Sequence, residues 1–223
     1  MRYYWSLLTT LATLIGALQG VCAQEAEAIQ ETADQLFGHT SDVSALAISG
    51  DGSYMATGSF NNKVIVWAKK NSYSEKWDFK AHQSTVEGLD ISHDNAYLAT
   101  RSSDANAYIW NMEEEKRSLT LGGHRSNIND IAFNDNFDKN KGRFVATATK
   151  KGVVRVYDRE KDGKIIRKIE LEKGGSANAV VFDKGGKYVI IGMGSGAMHI
   201  YNYLTGKKAR TFNKHSDAVN SLA

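Results

Sequence analysis

With 223 residues, 42% hydrophobic and 24% charged, the chain has the composition of an ordinary globular protein, long enough to bury a sizeable core. A formal charge of +3 is too small to give the whole molecule a field directed at nucleic acid. The single cysteine, Cys22, carries no information on redox compartment, and proline is absent altogether.

The first 23 residues differ in kind from the rest. Arg2 is followed by an uncharged stretch, Tyr3 to Ala23, whose apolar centre is Leu7 to Ile15, and Val21-Cys22-Ala23 precede a plausible cleavage point. A charged start, a short apolar run and a small-residue exit predict a secretory signal peptide over residues 1–23. Cleavage there predicts export, to the periplasm or the exterior; retention predicts an intracellular or membrane-anchored chain. Residues 24–35 hold Glu25, Glu27, Glu31 and Asp34 with no base, and read as an acidic, solvated lead-in.

From residue 36 onward the chain repeats. Gly38-His39, Ala81-His82, Gly123-His124 and Lys214-His215 each precede a β-forming residue four positions after the histidine. His39 to His82 is 43 positions, His82 to His124 is 42, and His124 to His215 is 91, about two repeats. A second register ends in aromatics at Trp67, Trp110, Tyr157 and Tyr201, spaced by 43, 47 and 44. Short β-rich runs lie between the registers, separated by Gly, Asp and Asn turns such as Gly50-Asp51-Gly52 and His93-Asp94-Asn95. Runs of this kind at even spacing predict an all-β fold.

A repeat of this period, with Gly-His near its start and Trp near its end, resembles the WD-repeat (tryptophan–aspartate repeat) family over residues 36–223. The resemblance implies a β-propeller of four-stranded blades: here four blades and the first strand of a fifth, an incomplete ring. It also implies a hydrogen-bonded set in each blade, made of the histidine, a hydroxyl ten before the aromatic, an acid six before it, and the aromatic itself. Blade two carries all four as His82, Thr100, Asp104 and Trp110. Blade one has His39, Thr57 and Trp67, with Asn61 in the acid's place. Blade three keeps His124 and Thr147, with Lys151 for the acid and Tyr157 for the tryptophan; blade four offers Lys173, Ile191, Ser195 and Tyr201.

The resemblance implies a non-catalytic interaction scaffold whose protein partners dock around the histidine and acid turns. Positions pointing there include Thr40, Asp42 and Phe60 in blade one, Gln83, Thr85 and Ser103 in blade two, and Arg125, Asn127 and Lys150 in blade three. Phe60 is the candidate anchor, because exposed aromatics dominate interface energetics. Between residues 139 and 168 eleven bases, Lys150 and Lys151 among them, face only three acids, a local net of +8. That run is a candidate patch for an acidic partner; the scarcity of interleaved aromatics argues against single-stranded nucleic acid.

No cofactor, metal or catalytic residue is predicted. His93 and His199 lack ligand-spaced partners. Gly192 to Ala197 fits a loose GxGxxA pattern, but the β-run Met198 to Tyr201 follows where a nucleotide site needs a helix. Asn134 to Asn140 has Lys139 where a calcium loop requires glycine. Two other readings stay open: an exported propeller with ligand-binding or hydrolytic activity in its channel, for which the expected innermost strands Val43 to Ile48 and Val86 to Ile91 offer Asp90, and a nonfunctional truncated copy.

Overall fold

A computed structural model describes residues 36–69, 73–134, 142–171 and 175–222. The expected signal peptide and lead-in, and Lys139, Lys141 and Lys173, lie outside the described residues. Every strand falls within the unit Gly38–Ala223.

Blade one consists of β1 (Val43–Ile48), β2 (Tyr54–Ser59), β3 (Lys63–Lys69) and β4 (Tyr73–Lys80). Blade two follows with β5 (Val86–Ile91), β6 (Tyr97–Ser102), β7 (Ala107–Asn111) and β8 (Lys116–Thr120). Blade three is β9 (Ile128–Phe133), β10 (Phe144–Thr149), β11 (Val153–Asp158) and β12 (Lys164–Glu170), with one 3₁₀ turn at Arg159–Lys161. Blade four is β13 (Ala177–Phe182), β14 (Tyr188–Met193), β15 (Ala197–Asn202) and β16 (Lys208–Asn213). Each is an antiparallel meander in chain order, the form short turns enforce. In the first hairpins of blades one, two and four the predicted turns hold: Gly52, Asn95 and Gly186 take φ of 69°, 59° and 62°. Glycine and asparagine tolerate that left-handed geometry.

The blades pack in sequence, β1 against β5, β5 against β9 and β9 against β13. Hydrophobic cores fill the three seams. Val64, Val66, Val86 and Leu98 lie between blades one and two. Ile109, Ile128, Val145 and Tyr157 lie between blades two and three, and Val154, Val156, Val180 and Val189 between blades three and four. Middle strands are therefore apolar on both faces, as buried strands between layers must be. Close approach requires small residues: a Cβ at Gly58 would meet Val86 Cγ1 at 2.6 Å. Two buried acids also stitch the blades. Asp90 accepts the Phe133 N–H at 2.6 Å, and Asp130 accepts the Val180 N–H at 2.8 Å. Asp90, the one inner-strand acid noted from sequence, thus helps to join blades two and three.

After β16 the described residues to 222 form no further strand, although the Val219 N–H donates to the Met193 carbonyl at 3.0 Å. On β1 the apolar Val43, Leu46 and Ile48 are exposed, whereas Val86 and Ile91 of β5 are buried by blade one.

Candidate functional site

Four equivalent turns join the second and third strands of the blades. Each closes with an N–H···O=C bond, Asn62 to Ser59, Ala105 to Ser102, Gly152 to Thr149 and Gly196 to Met193, at 2.9–3.2 Å. The donor residue is left-handed every time, with φ from 62° to 82°. The third turn residue is accordingly equivalent in all four blades: Asn61, Asp104, Lys151 and Ser195. The second residue is tied to the loop after the histidine by a backbone bond, Phe60 N–H to Asp42 O at 3.1 Å, Ser103 to Thr85 at 3.2 Å and Lys150 to Asn127 at 3.0 Å.

In blade two the indole N–H of Trp110 donates to Thr100 Oγ1 at 3.0 Å, and Thr100 Oγ1 lies 2.7 Å from His82 Nε2. His82 Nδ1 is 3.1 Å from Asp104, whose carboxylate also accepts the N–H groups of Gln83 and Asn106. An acceptor at Nδ1 places the imidazole proton there, so Nε2 accepts from the threonine hydroxyl. Burial lowers the His82 pKa, which keeps it neutral in that role. Burial opposes the charge on Asp104, but the bonds from Gln83, Asn106 and His82 prevail and hold its carboxyl below the usual range.

Blade one brings together the same chain without the acid. Trp67 Nε1 donates to Thr57 Oγ1 at 2.9 Å, and His39 Nε2 is 2.8 Å from that hydroxyl. His39 Nδ1 is buried with no partner, since the Asn61 amide turns to Thr40 at 3.2 Å.

Blade three is wired differently. The Tyr157 hydroxyl donates to the Gly122 carbonyl at 2.8 Å and sits 3.0 Å from His124 Nε2. The hydroxyl of Thr147 is buried without a partner, and so is His124 Nδ1. The histidine and threonine that sequence grouped in one set are therefore not joined by a hydrogen bond. A phenol carries its polar atom at the tip of the ring, which reaches the loop at Gly122 and His124; an indole N–H lies on the ring's side. Burial, and then the positive charge of Arg155, push the His124 pKa down to about 4. Burial pushes the Tyr157 phenol up to about 12.

The reversal of charge around this imidazole is the main feature of the site. At the turn position of Asp104 stands Lys151. At the strand position of Tyr108, which stacks on His82 with ring centroids 4.7 Å apart, stands Arg155. Arg155 is only 7% exposed, and no described residue forms a hydrogen bond or ion pair with its guanidinium. The left-handed Gly123 (φ 89°) lets the backbone pass close to it: a Cβ there would lie 3.5 Å from Arg155 Nε. Arg155 lines a concavity of about 860 Å³ together with Arg125, Lys150, Lys151, Lys168 and Glu170. Lys168 and Glu170 pair with each other, and the lysine holds the Glu170 carboxyl below its usual range. Arg155 bears on the same carboxylate at longer range, and Arg125, Lys150 and Lys151 form no ion pair among the described residues.

Three arginines of the run are engaged elsewhere. Arg143 forms a two-pronged pair with Asp158 at 2.9 and 2.7 Å, Arg159 lies 3.8 Å over the Tyr97 ring, and Arg167 donates to the carbonyls of Tyr203 and Leu204. Of the residues proposed from sequence for partner binding, Arg125, Lys150 and Lys151 thus share one concavity. Phe60, 53% exposed, and Asp42 belong to blade one. Arg155, missed as a site residue, had one signal: a single charge inside the apolar run Val153 to Tyr157. Among the described residues no three His, Cys, Asp or Glu side chains gather as a metal centre, and no helix is long and apolar enough to cross a membrane.

Residues 30–68, 73–111 and 115–158 match the family model described as WD40: WD domain, G-beta repeat. No curated protein matches the chain.

Proposed function

The chain belongs to the WD-domain, G-beta repeat family, and from that membership we propose a non-catalytic scaffold that holds a protein partner by an acidic segment. Propellers of this family generally act as rigid, non-catalytic platforms for protein contacts. The observation that carries the acidic specificity is the blade-three concavity, in which Arg125, Lys150, Lys151, Arg155 and Lys168 face one acid, Glu170, among the described residues. Cations converging in a recess attract an anionic segment more strongly than the same cations dispersed over a surface. Phe60 on blade one supplies a second, apolar contact.

Titration of the full chain with a heptaglutamate peptide tests the reading. Binding should be measurable at low salt, and the double variant Lys150→Gln/Lys151→Gln should weaken it about tenfold and flatten its salt dependence. Equal affinity for the variant and the parent chain would overturn the proposal. Export directed by residues 1–23 belongs to the same reading. N-terminal sequencing of the isolated protein should find Gln24 first, and retained Met1 would refute it.

A further inference from the structure

Resting on that reading, we propose that the blade-three concavity is built for one doubly charged oxyanion, a phosphorylated side chain on the partner, with Arg155 as its principal ligand. Three observations converge. First, Arg155 is buried, lines the concavity and meets no acceptor among the described residues. None of its guanidinium nitrogens is both buried and unpartnered, so the packed side chain keeps its charged end open to the recess, where a ligand can reach it. Second, the equivalent corner of blade two holds its own anion, Asp104, against the imidazole. In blade three Lys151 takes that place, and among the described residues no anion stands there. Third, among the described residues the five cations of the lining, Arg125, Lys150, Lys151, Arg155 and Lys168, face one acid, Glu170, on which Lys168 and Arg155 both act, and the excess is more than one carboxylate can neutralise. A phosphate monoester brings about −1.5 to −2 charges and three acceptor oxygens, which suits an arginine fork with lysines around it.

A peptide fits the concavity better than a nucleic acid. Its lining includes Gly123, Ser126, Thr149, Ile165 and Leu171 beside the charged residues but no aromatic ring on which a base could stack. The cations also converge on one recess, whereas a polynucleotide is followed by a stripe of them.

The test uses the full chain and four ligands at constant ionic strength: a short peptide with one phosphothreonine, the same peptide with glutamate there, inorganic phosphate, and a single-stranded oligonucleotide. The phosphopeptide should bind at least tenfold more tightly than the glutamate peptide and than inorganic phosphate. Arg155→Gln should abolish that preference while heptaglutamate still binds. Arg125→Gln, at an exposed position, should reduce the preference severalfold and serves if Arg155→Gln does not fold. Equal affinity for the phosphothreonine and glutamate peptides, with heptaglutamate bound, would overturn this inference and leave the acidic-segment reading standing. Failure of heptaglutamate as well would remove both. Inorganic phosphate binding as tightly as the phosphopeptide, tighter binding of the oligonucleotide, or an undiminished preference in a folded Arg125→Gln variant would each overturn the inference.

Discussion

Blades two and three share a strand order, a turn with its left-handed fourth residue, and a histidine held under that turn. Around the imidazole they diverge. In blade two each polar atom has a partner in the chain: Trp110 gives to Thr100, Thr100 to His82, and His82 to Asp104. In blade three Tyr157 takes over the histidine, the Thr147 hydroxyl does not reach it, Arg155 bears on the ring, and Lys151 stands at the turn position of the acid. Internal completeness serves stability, because each buried polar group left unpaired costs about 1–3 kcal/mol. Internal incompleteness, placed at an open concavity, leaves charge free to meet a partner. One repeat architecture thus gives the same ring different surroundings by changing three side chains, those at the positions of Asp104, Tyr108 and Trp110.

The contrast breaks most readily at the threonines. Thr100→Val removes the hydroxyl that serves both Trp110 and His82, and should cost about 4 kcal/mol by leaving two buried groups unpaired. Thr147→Val removes a hydroxyl that reaches neither a tryptophan nor the histidine and bears only on the Tyr157 phenol, and should cost under about 1 kcal/mol. Denaturant unfolding of the two variants measures both; equal losses would show that blade three hides a network like that of blade two.

Acid is the next lever. His124 has a folded pKa of about 4 against 6.5 for the model imidazole, so between those values the folded state binds fewer protons than the unfolded. Stability should therefore fall as pH drops from about 6.5 through 4, by about 3 kcal/mol from this residue. The contribution is fully present above that window. An NMR titration of the His124 ring should place its midpoint near 4. A midpoint near 6.5 would sink the assignment.

The smallest effect is the sharpest test of the comparison. Lys151→Asp restores in blade three the acid that blade two has, and should raise the His124 midpoint and stabilise the fold by about 1 kcal/mol. It should also weaken heptaglutamate binding. A gain in stability with no loss of binding would separate the turn position from the partner surface.

Much of this architecture was legible in the amino-acid order. The apolar runs expected to be inner strands, Val43 to Ile48 and Val86 to Ile91, are β1 and β5 to the residue. The aromatics at Trp67, Trp110, Tyr157 and Tyr201 all lie in third strands. Such features are local: alternation, turn chemistry and a period near 43 depend only on neighbours along the chain. The net charge of the run 139–168 was equally visible, but not its division. Arg143 and Arg155 look alike as letters, yet one forms a two-pronged pair with Asp158 and the other forms no hydrogen bond or ion pair among the described residues and bears on Glu170 only at longer range.

By itself, then, the sequence determined a repeating all-β chain, the place of its strands and turns, and the residues able to pair within each blade. Only the tertiary structure decided which of those pairs form. A hydrogen bond or an ion pair depends on distances of about 3 Å, set by how far each side chain reaches and by what the neighbouring blade covers. Reach diverts the Tyr157 phenol to Gly122 and His124, and packing sets Arg155, one base among eleven, into the wall of a recess.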